Sequence, residues 1–168
     1  MNTELMKKIL FYSLIICGFM AEIATAQLVS WRDIIEAEHP EPTERIYFGN
    51  DSLQFADLWL PENEPSHTTV ILIHGGCWLN IYPGLELMHL VADELRNHGF
   101  AVWNLEYRRL GTEGGGYPGT FKDIADGADY LYQISGDFDL NLNRVIAAGH
   151  SAGGHLATWL SARKNIHA

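Results

Sequence analysis

The chain has 168 residues, 47% of them hydrophobic and 19% charged, with 16 glycines. That suffices for one domain with a buried core and is too little for two of ordinary size. A formal net charge of −10 argues against the basic face that phosphate binding requires, so neither nucleic acid nor an anionic membrane surface is an expected partner.

The chain opens with MNTELMKK, carrying Lys7 and Lys8, followed by the apolar run ILFYSLIICGFM. AEIATAQ then sets Ala24 and Ala26 at the small-residue positions of a cleavage site. This order predicts a secretory signal peptide over residues 1–26, cut after Ala26, and a mature chain from Gln27 that is secreted or periplasmic and free of the membrane. The apolar run is shorter than the ~20 residues of a membrane span. An uncleaved anchor and a lipoprotein signal at Cys17 are the competing readings, the second weakened by Ile16 where a small residue is expected. Loss of Cys17 leaves Cys77 alone, so the mature chain is expected to have no internal disulfide.

EAEHPEPTERI, residues 36–46, reads as an exposed, charged lead-in. His39 belongs to it with Glu36 and Glu38, and no further ligand nearby makes them a metal site. SLQFADLWL (52–60) alternates as a strand, and PENEPSH closes it as a loop. TTVILIHGG (68–76) is β-branched and continuously apolar, the pattern of a strand buried on both faces. Leucines, Val91 and Leu95 recur at helical spacing from Leu85 to Asn97, with Gly99 as the stop. FAVWNLEYR is a further strand, and LGTEGGGYPG a long loop.

TFKDIADGADYLYQI has helical period, with Phe121, Ile124, Ala128, Leu131 and Tyr132 on one side. Asp123, Asp126 and Asp129 read as solvated or capping residues of that helix. After the loop DFDLNLN, RVIAAGH reads as a third buried strand, and SAGGHLATWLSARKN turns into a helix. Strands alternating with helices predict an α/β fold, a mainly parallel sheet with helices on both faces. In such sheets function gathers at the carboxyl ends of strands, where both glycine-rich stretches lie. Trp78, Tyr82 and Trp103 read first as core and second as pocket lining.

Gly149-His150-Ser151-Ala152-Gly153 is a G-x-S-x-G sequence at a strand-to-helix junction. A serine held on so sharp a turn leaves no room for side chains two positions either side, hence the glycines. The turn lifts the hydroxyl off the sheet and aims the next N–H and a helix N-terminus at one point. The alternative is a plain glycine-rich turn with a capping serine. His74-Gly75-Gly76-Cys77-Trp78 follows a buried strand, and paired glycines there free backbone N–H groups to face a forming oxyanion. Cys77 reads as a loop residue of that stretch. No dinucleotide fingerprint, phosphate loop or clustered metal ligands appear in the sequence, so neither cofactor nor metal is expected.

VILIHGGCW, AVWNLEYRRLG, YPGTFKDIADGADYL and RVIAAGHSAGGHLATWLSAR together resemble the esterase/lipase branch of the α/β-hydrolase fold. Within it the resemblance is to feruloyl-esterase-like and kynurenine-formamidase-like enzymes, from about residue 55 to the chain end. It implies that Ser151 is the nucleophile, forming an acyl-enzyme with a small-molecule ester or amide. Gly75, Gly76 and Ala152 would be backbone oxyanion donors, with His74, Gly149 and Gly153 supporting the two turns.

The family order places an acid and then a histidine after the nucleophile, each on a loop beyond a later strand. The 17 residues after Ser151 contain no aspartate or glutamate. His155, one turn into the nucleophile helix, should point away from the reaction centre, and His167 stands almost at the terminus. The expectation is therefore an incomplete α/β-hydrolase domain over 27–168, its triad acid and base absent and its last strand left as an apolar edge. A formamide or amide hydrolase of kynurenine-formamidase type is one alternative, and a catalytically inert truncated pseudo-hydrolase the other. A prolyl-oligopeptidase-type peptidase fits less well, because the usual N-terminal propeller is missing.

Overall fold

The computed structural model of the protein describes residues 28–62 and 68–163. The signal-peptide segment, Cys17 and His167 lie outside the described residues. Five strands form one sheet in the order β1-β2-β4-β3-β5: β1 (Glu44–Tyr47), β2 (Phe55–Trp59), β3 (Thr69–Ile73), β4 (Ala101–Leu105) and β5 (Val145–Gly149). The chain also forms α1 (Trp31–Ile35), a 3-10 turn (Leu85–Met88), α2 (His89–Asn97), α3 (Gly119–Ile134) and α4 (Ala152–Ser161).

β3 behaves as its apolar run predicts, and β2, read as an alternating strand, is buried throughout. β3 pairs in parallel with β4 and with β5, and every residue of β2, β3 and β4 is buried. Side chains alternate across the sheet. Ile71, Ile73, Trp103 and Leu105 face one layer, where Ile124, Leu131, Leu156 and Leu160 from α3 and α4 meet them. Val70, Leu72 and Val102 face the other, against Met88 and Ala92. Each large apolar side chain buried this way contributes about 1.5–3 kcal/mol. The indole N–H of Trp103 donates to the Gly127 carbonyl at 2.9 Å, whereas the indole N–H of the equally buried Trp59 has no hydrogen-bond partner among the described residues.

Several local expectations need correcting. The lead-in is not wholly irregular: Glu44–Tyr47 forms β1, which pairs antiparallel with β2, as β2 does with β4. The sheet is therefore mixed. Arg45 stands opposite Asp57 in that register and grips it with two hydrogen bonds, at 2.7 and 2.8 Å. The stretch 85–97 begins as a 3-10 turn and becomes α-helical only at His89. Tyr132 is 68% exposed, because it stands about 100° round the helix from Leu131, off the buried stripe.

Asp123 is not solvated. It is fully buried and accepts bonds from Arg108 Nε, Nη2 and backbone N–H at 2.7–3.0 Å, and from Gln54 Nε2 at 2.8 Å. Asp126 and Asp129 do face outward, in ion pairs with Lys122 and Arg163. β5 is a partly exposed edge rather than a buried strand. It pairs only with β3 among the described residues, and Ile146 is 51% exposed.

Candidate active site

β3 and β5 run in parallel, so their carboxyl ends deliver residues 74–78 and 149–154 to the same rim of the sheet. Beyond β5 the pairing runs one residue further, with His150 N–H donating to Ile73 O at 3.2 Å. Ser151 then takes φ 54° and ψ −117°, a conformation costly for any residue with a Cβ. The surrounding contacts enforce it. A Cβ on Gly149 would lie 2.4 Å from the Gly153 carbonyl group, and one on Gly153 would lie 2.0 Å from Ile73 O. Both glycines are thus required by backbone packing, the steric reason inferred from the motif.

Ala152 is the first residue of α4, so its N–H has no partner within the helix. Gly75 packs directly against this turn. A Cβ there would stand 3.0 Å from His150 O and 3.2 Å from the Ser151 Cβ. Gly76, Cys77 and Trp78 follow with φ of 104°, 51° and 59°, three successive left-handed residues that swing the loop across the rim. The structure therefore brings Ser151, Gly75, Gly76 and Ala152 together.

His74 is fully buried. Its Nδ1 is 2.8 Å from Gly75 O and its Nε2 is 3.0 Å from Glu106 Oε1, while Tyr107 stacks on the ring. Tyr107 Oη also donates to His74 O at 2.9 Å. This fixes the glycine loop from beneath and leaves the ring no path to Ser151.

Glu106, Tyr107 and Arg109 were not singled out by the sequence, yet they hold the site. Glu106 accepts from the N–H groups of Tyr107 and Leu85, at 2.9 and 3.1 Å. Burial would raise its carboxyl. The His74 hydrogen bond, the charges of His74 and Arg109 and the Tyr107 N–H outweigh it, holding Glu106 below the usual carboxylate range. Arg109 Nη1 donates to Tyr82 O and Pro83 O at 2.8 and 2.9 Å, clamping the far side of the loop. Tyr107 is buried beside Glu106, and both effects push its hydroxyl up. The available signal was a charged EYRR stretch at the end of a largely apolar strand.

A second buried network lies under the lead-in. Burial would raise Asp57, but hydrogen bonds from Arg45 and His89 hold it low. His89 Nε2 is 3.2 Å from Asp57 Oδ2, and His89 Nδ1 is 3.4 Å from His39 Nε2. His39 is thus docked on the body rather than loose in solvent.

Trp103 is core, as first read. Trp78 and Tyr82 are not: each is partly exposed and lines a cavity. His155 lies between Trp78 and Phe121, its ring edge-on to both, at a smaller cavity. Among the described residues, no histidine or carboxylate hydrogen-bonds Ser151 Oγ, and no group of three or more His, Cys, Asp or Glu could hold a metal ion.

A three-layer α/β core whose edge strand runs through a strained Gly-x-Ser-x-Gly turn into a helix defines the class: an α/β hydrolase fold. The BD-FAE family profile matches residues 56–168, and the chain belongs to that family. Among solved structures it is similar to esterase B from Lactobacillus rhamnosis, at 27% identity and a TM-score of 0.63 over 75% of this chain and 42% of that one. It is also similar to a bifunctional GH43-CE protein of Bacteroides eggerthii, at 26% identity and a TM-score of 0.59, over 68% of this chain and 17% of that one. A bacterial heroin esterase shares the fold at 23% identity and a TM-score of 0.60, over 88% of this chain and 43% of that one. The chain thus spans less than half the length of each of these three. No curated protein matches it.

Proposed function

We propose that this chain carries the nucleophile and oxyanion pocket of a serine hydrolase of carboxylic esters, with Ser151 as the attacking residue. The observation that carries this reading is Ser151 itself, held at φ 54° between two sterically required glycines with the Gly75 backbone packed against it. Strain of that kind persists only where the surroundings over-determine it, and it presents Oγ clear of the sheet. Ser151 Oγ attacks the ester carbonyl carbon, and the carbonyl oxygen takes up the negative charge. The N–H groups of Gly75, Gly76 and Ala152 receive that charge at the amino end of α4. Collapse of the tetrahedral intermediate breaks the bond from the carbonyl carbon to the alcohol oxygen; the alcohol leaves carrying the proton that Ser151 gave up, and an acyl-Ser151 ester remains.

The described residues provide no base for the Ser151 proton. A serine in this condition keeps only the modest acceleration of its oxyanion hole and binding contacts. That favours a second reading, in which the 168-residue chain binds esters without turning them over. An alkyl fluorophosphonate separates the two: Oγ displaces fluoride from phosphorus and forms a stable Ser151 adduct. The expected result is one adduct per chain on the Ser151 peptide, formed slowly and lost in Ser151→Ala. Folded protein with no adduct after prolonged exposure refutes the nucleophile reading. We further infer export of a mature chain beginning at Gln27, which N-terminal sequencing of protein from culture medium or periplasm checks.

A further inference from the structure

A cavity of about 450 Å³ opens directly beside Ser151. That lies within the range of small-molecule sites and is about three times the ~150 Å³ that holds one benzene ring. Its reactive side is Ser151 with His150, Gly76 and Cys77, and its other walls come from the 82–91 segment and from α1. Trp31 and Ile34 supply the α1 wall, facing Leu87 and Val91. Its polar side chains are His150, Ser151 and Tyr82, and no aspartate, glutamate, lysine or arginine lines it, so a charged group entering it would lose its water with no carboxylate, ammonium or guanidinium to meet it.

The α1 wall is built, not incidental. Ser30 and Asp33 form a reciprocal capping box, with Ser30 N–H donating to Asp33 Oδ2 at 2.6 Å and Asp33 N–H to Ser30 Oγ at 3.4 Å. Downstream, the His39–His89 contact and a 3.2 Å hydrogen bond from Arg96 Nη1 to Glu41 O tie the same segment to α2. Trp31 nevertheless stays 41% exposed and Val91 44% exposed, which is apolar surface facing an open cavity. The α1 segment just ahead of the exposed lead-in is therefore an apolar side of the site, with the lead-in holding it to α2.

We propose that this cavity binds one uncharged apolar limb of the ester, an aryl group or an alkyl chain, and that Trp31 and Ile34 set its length. This rests on the nucleophile reading of Ser151. Each methylene buried against such walls gains roughly fourfold in binding until the cavity is full.

The test uses the 168-residue chain and fluorophosphonates with methyl, butyl, octyl and hexadecyl chains, scored by the rate of Ser151 adduct formation. The rate should rise from methyl to octyl and fall at hexadecyl. Trp31→Ala should move the optimum to longer chains and Ile34→Phe to shorter ones. Equal rates along the series, or an optimum that neither substitution moves, overturn the proposal.

A second readout does not need Ser151 chemistry. Cys77 is an exposed free thiol on the cavity wall, so in Ser151→Ala its alkylation by iodoacetamide reports occupancy. Octan-1-ol should slow that alkylation at least fivefold, and Ile34→Trp should remove the protection. If no probe labels Ser151, the nucleophile reading fails by itself. Cys77 protection then upholds the apolar site, and its absence overturns it.

Discussion

Gly153→Ala tests the junction on which the site depends. In an ordinary helix this change stabilises by about 1 kcal/mol, because alanine has the higher helix propensity. Here the added methyl would stand 2.0 Å from Ile73 O and 2.6 Å from His74 O, both backbone atoms of the central strand and its exit. Relief requires α4 to withdraw from β3 by about 1 Å, loosening the packing of Leu156, Ala157 and Leu160 on the sheet. Overpacking of this sort costs typically ~1–3 kcal/mol, occasionally more, and a backbone obstacle places the change at the upper end. After the propensity gain, the net loss is about 2 kcal/mol. Urea unfolding followed by circular dichroism should show a midpoint lower by about 1 M, for a slope near ~2 kcal/mol per M. Gly136→Ala is the control, since a Cβ there meets nothing within 4 Å. A Gly153→Ala midpoint equal to or above the parent's would refute the argument.

Asp123→Ala should cost about 3 kcal/mol, because it strands a guanidinium that is mostly buried; Arg108 keeps only Asp51, at 3.9 Å. A loss under 1 kcal/mol in the same titration would mean that the pair is a surface feature after all. Leu156→Ala should destabilise by about 2–5 kcal/mol and Tyr132→Ala by less than about 0.5, since the first is fully buried and the second is 68% exposed. Comparable losses in both would contradict the assigned faces of α3 and α4. Asp57 and Glu106 are held below their ordinary values, so each contributes stability that is complete above the unfolded-state pKa, about 4. That contribution is lost as pH falls through the lower folded-state values. Thermal melts should therefore fall steeply below about pH 4, and less steeply in Asp57→Asn measured against its own neutral-pH stability. Identical acid profiles would show that Asp57 is not so held.

The parts of the fold legible in the sequence are those governed by local rules. β3 announces itself as a continuous apolar run because both of its faces are covered. α3 shows its buried stripe through Ile124, Ala128 and Leu131. The G-x-S-x-G turn is legible because its glycines answer a steric demand within five residues. β1 escaped notice because Glu44–Tyr47 is an edge strand with an exposed surface and carries no hydrophobic alternation. Asp123 was misread for a related reason: helical position alone does not reveal that Arg108, 15 residues earlier, turns inward to meet it.

By itself, then, the sequence determined an α/β fold, the order of its central elements and the serine turn, since propensity, periodicity and backbone sterics act over a few residues. It also supplied a resemblance that the family match supports. Only the tertiary structure decided which carboxylates are buried, that His74 is locked beneath the glycine loop by Glu106 and Tyr107, and that Trp31 and Ile34 face Ser151 across an apolar cavity. Those outcomes depend on partners dozens of residues apart. Pairing a buried charge or walling a cavity is a property of three-dimensional contact, and chain spacing carries no record of it.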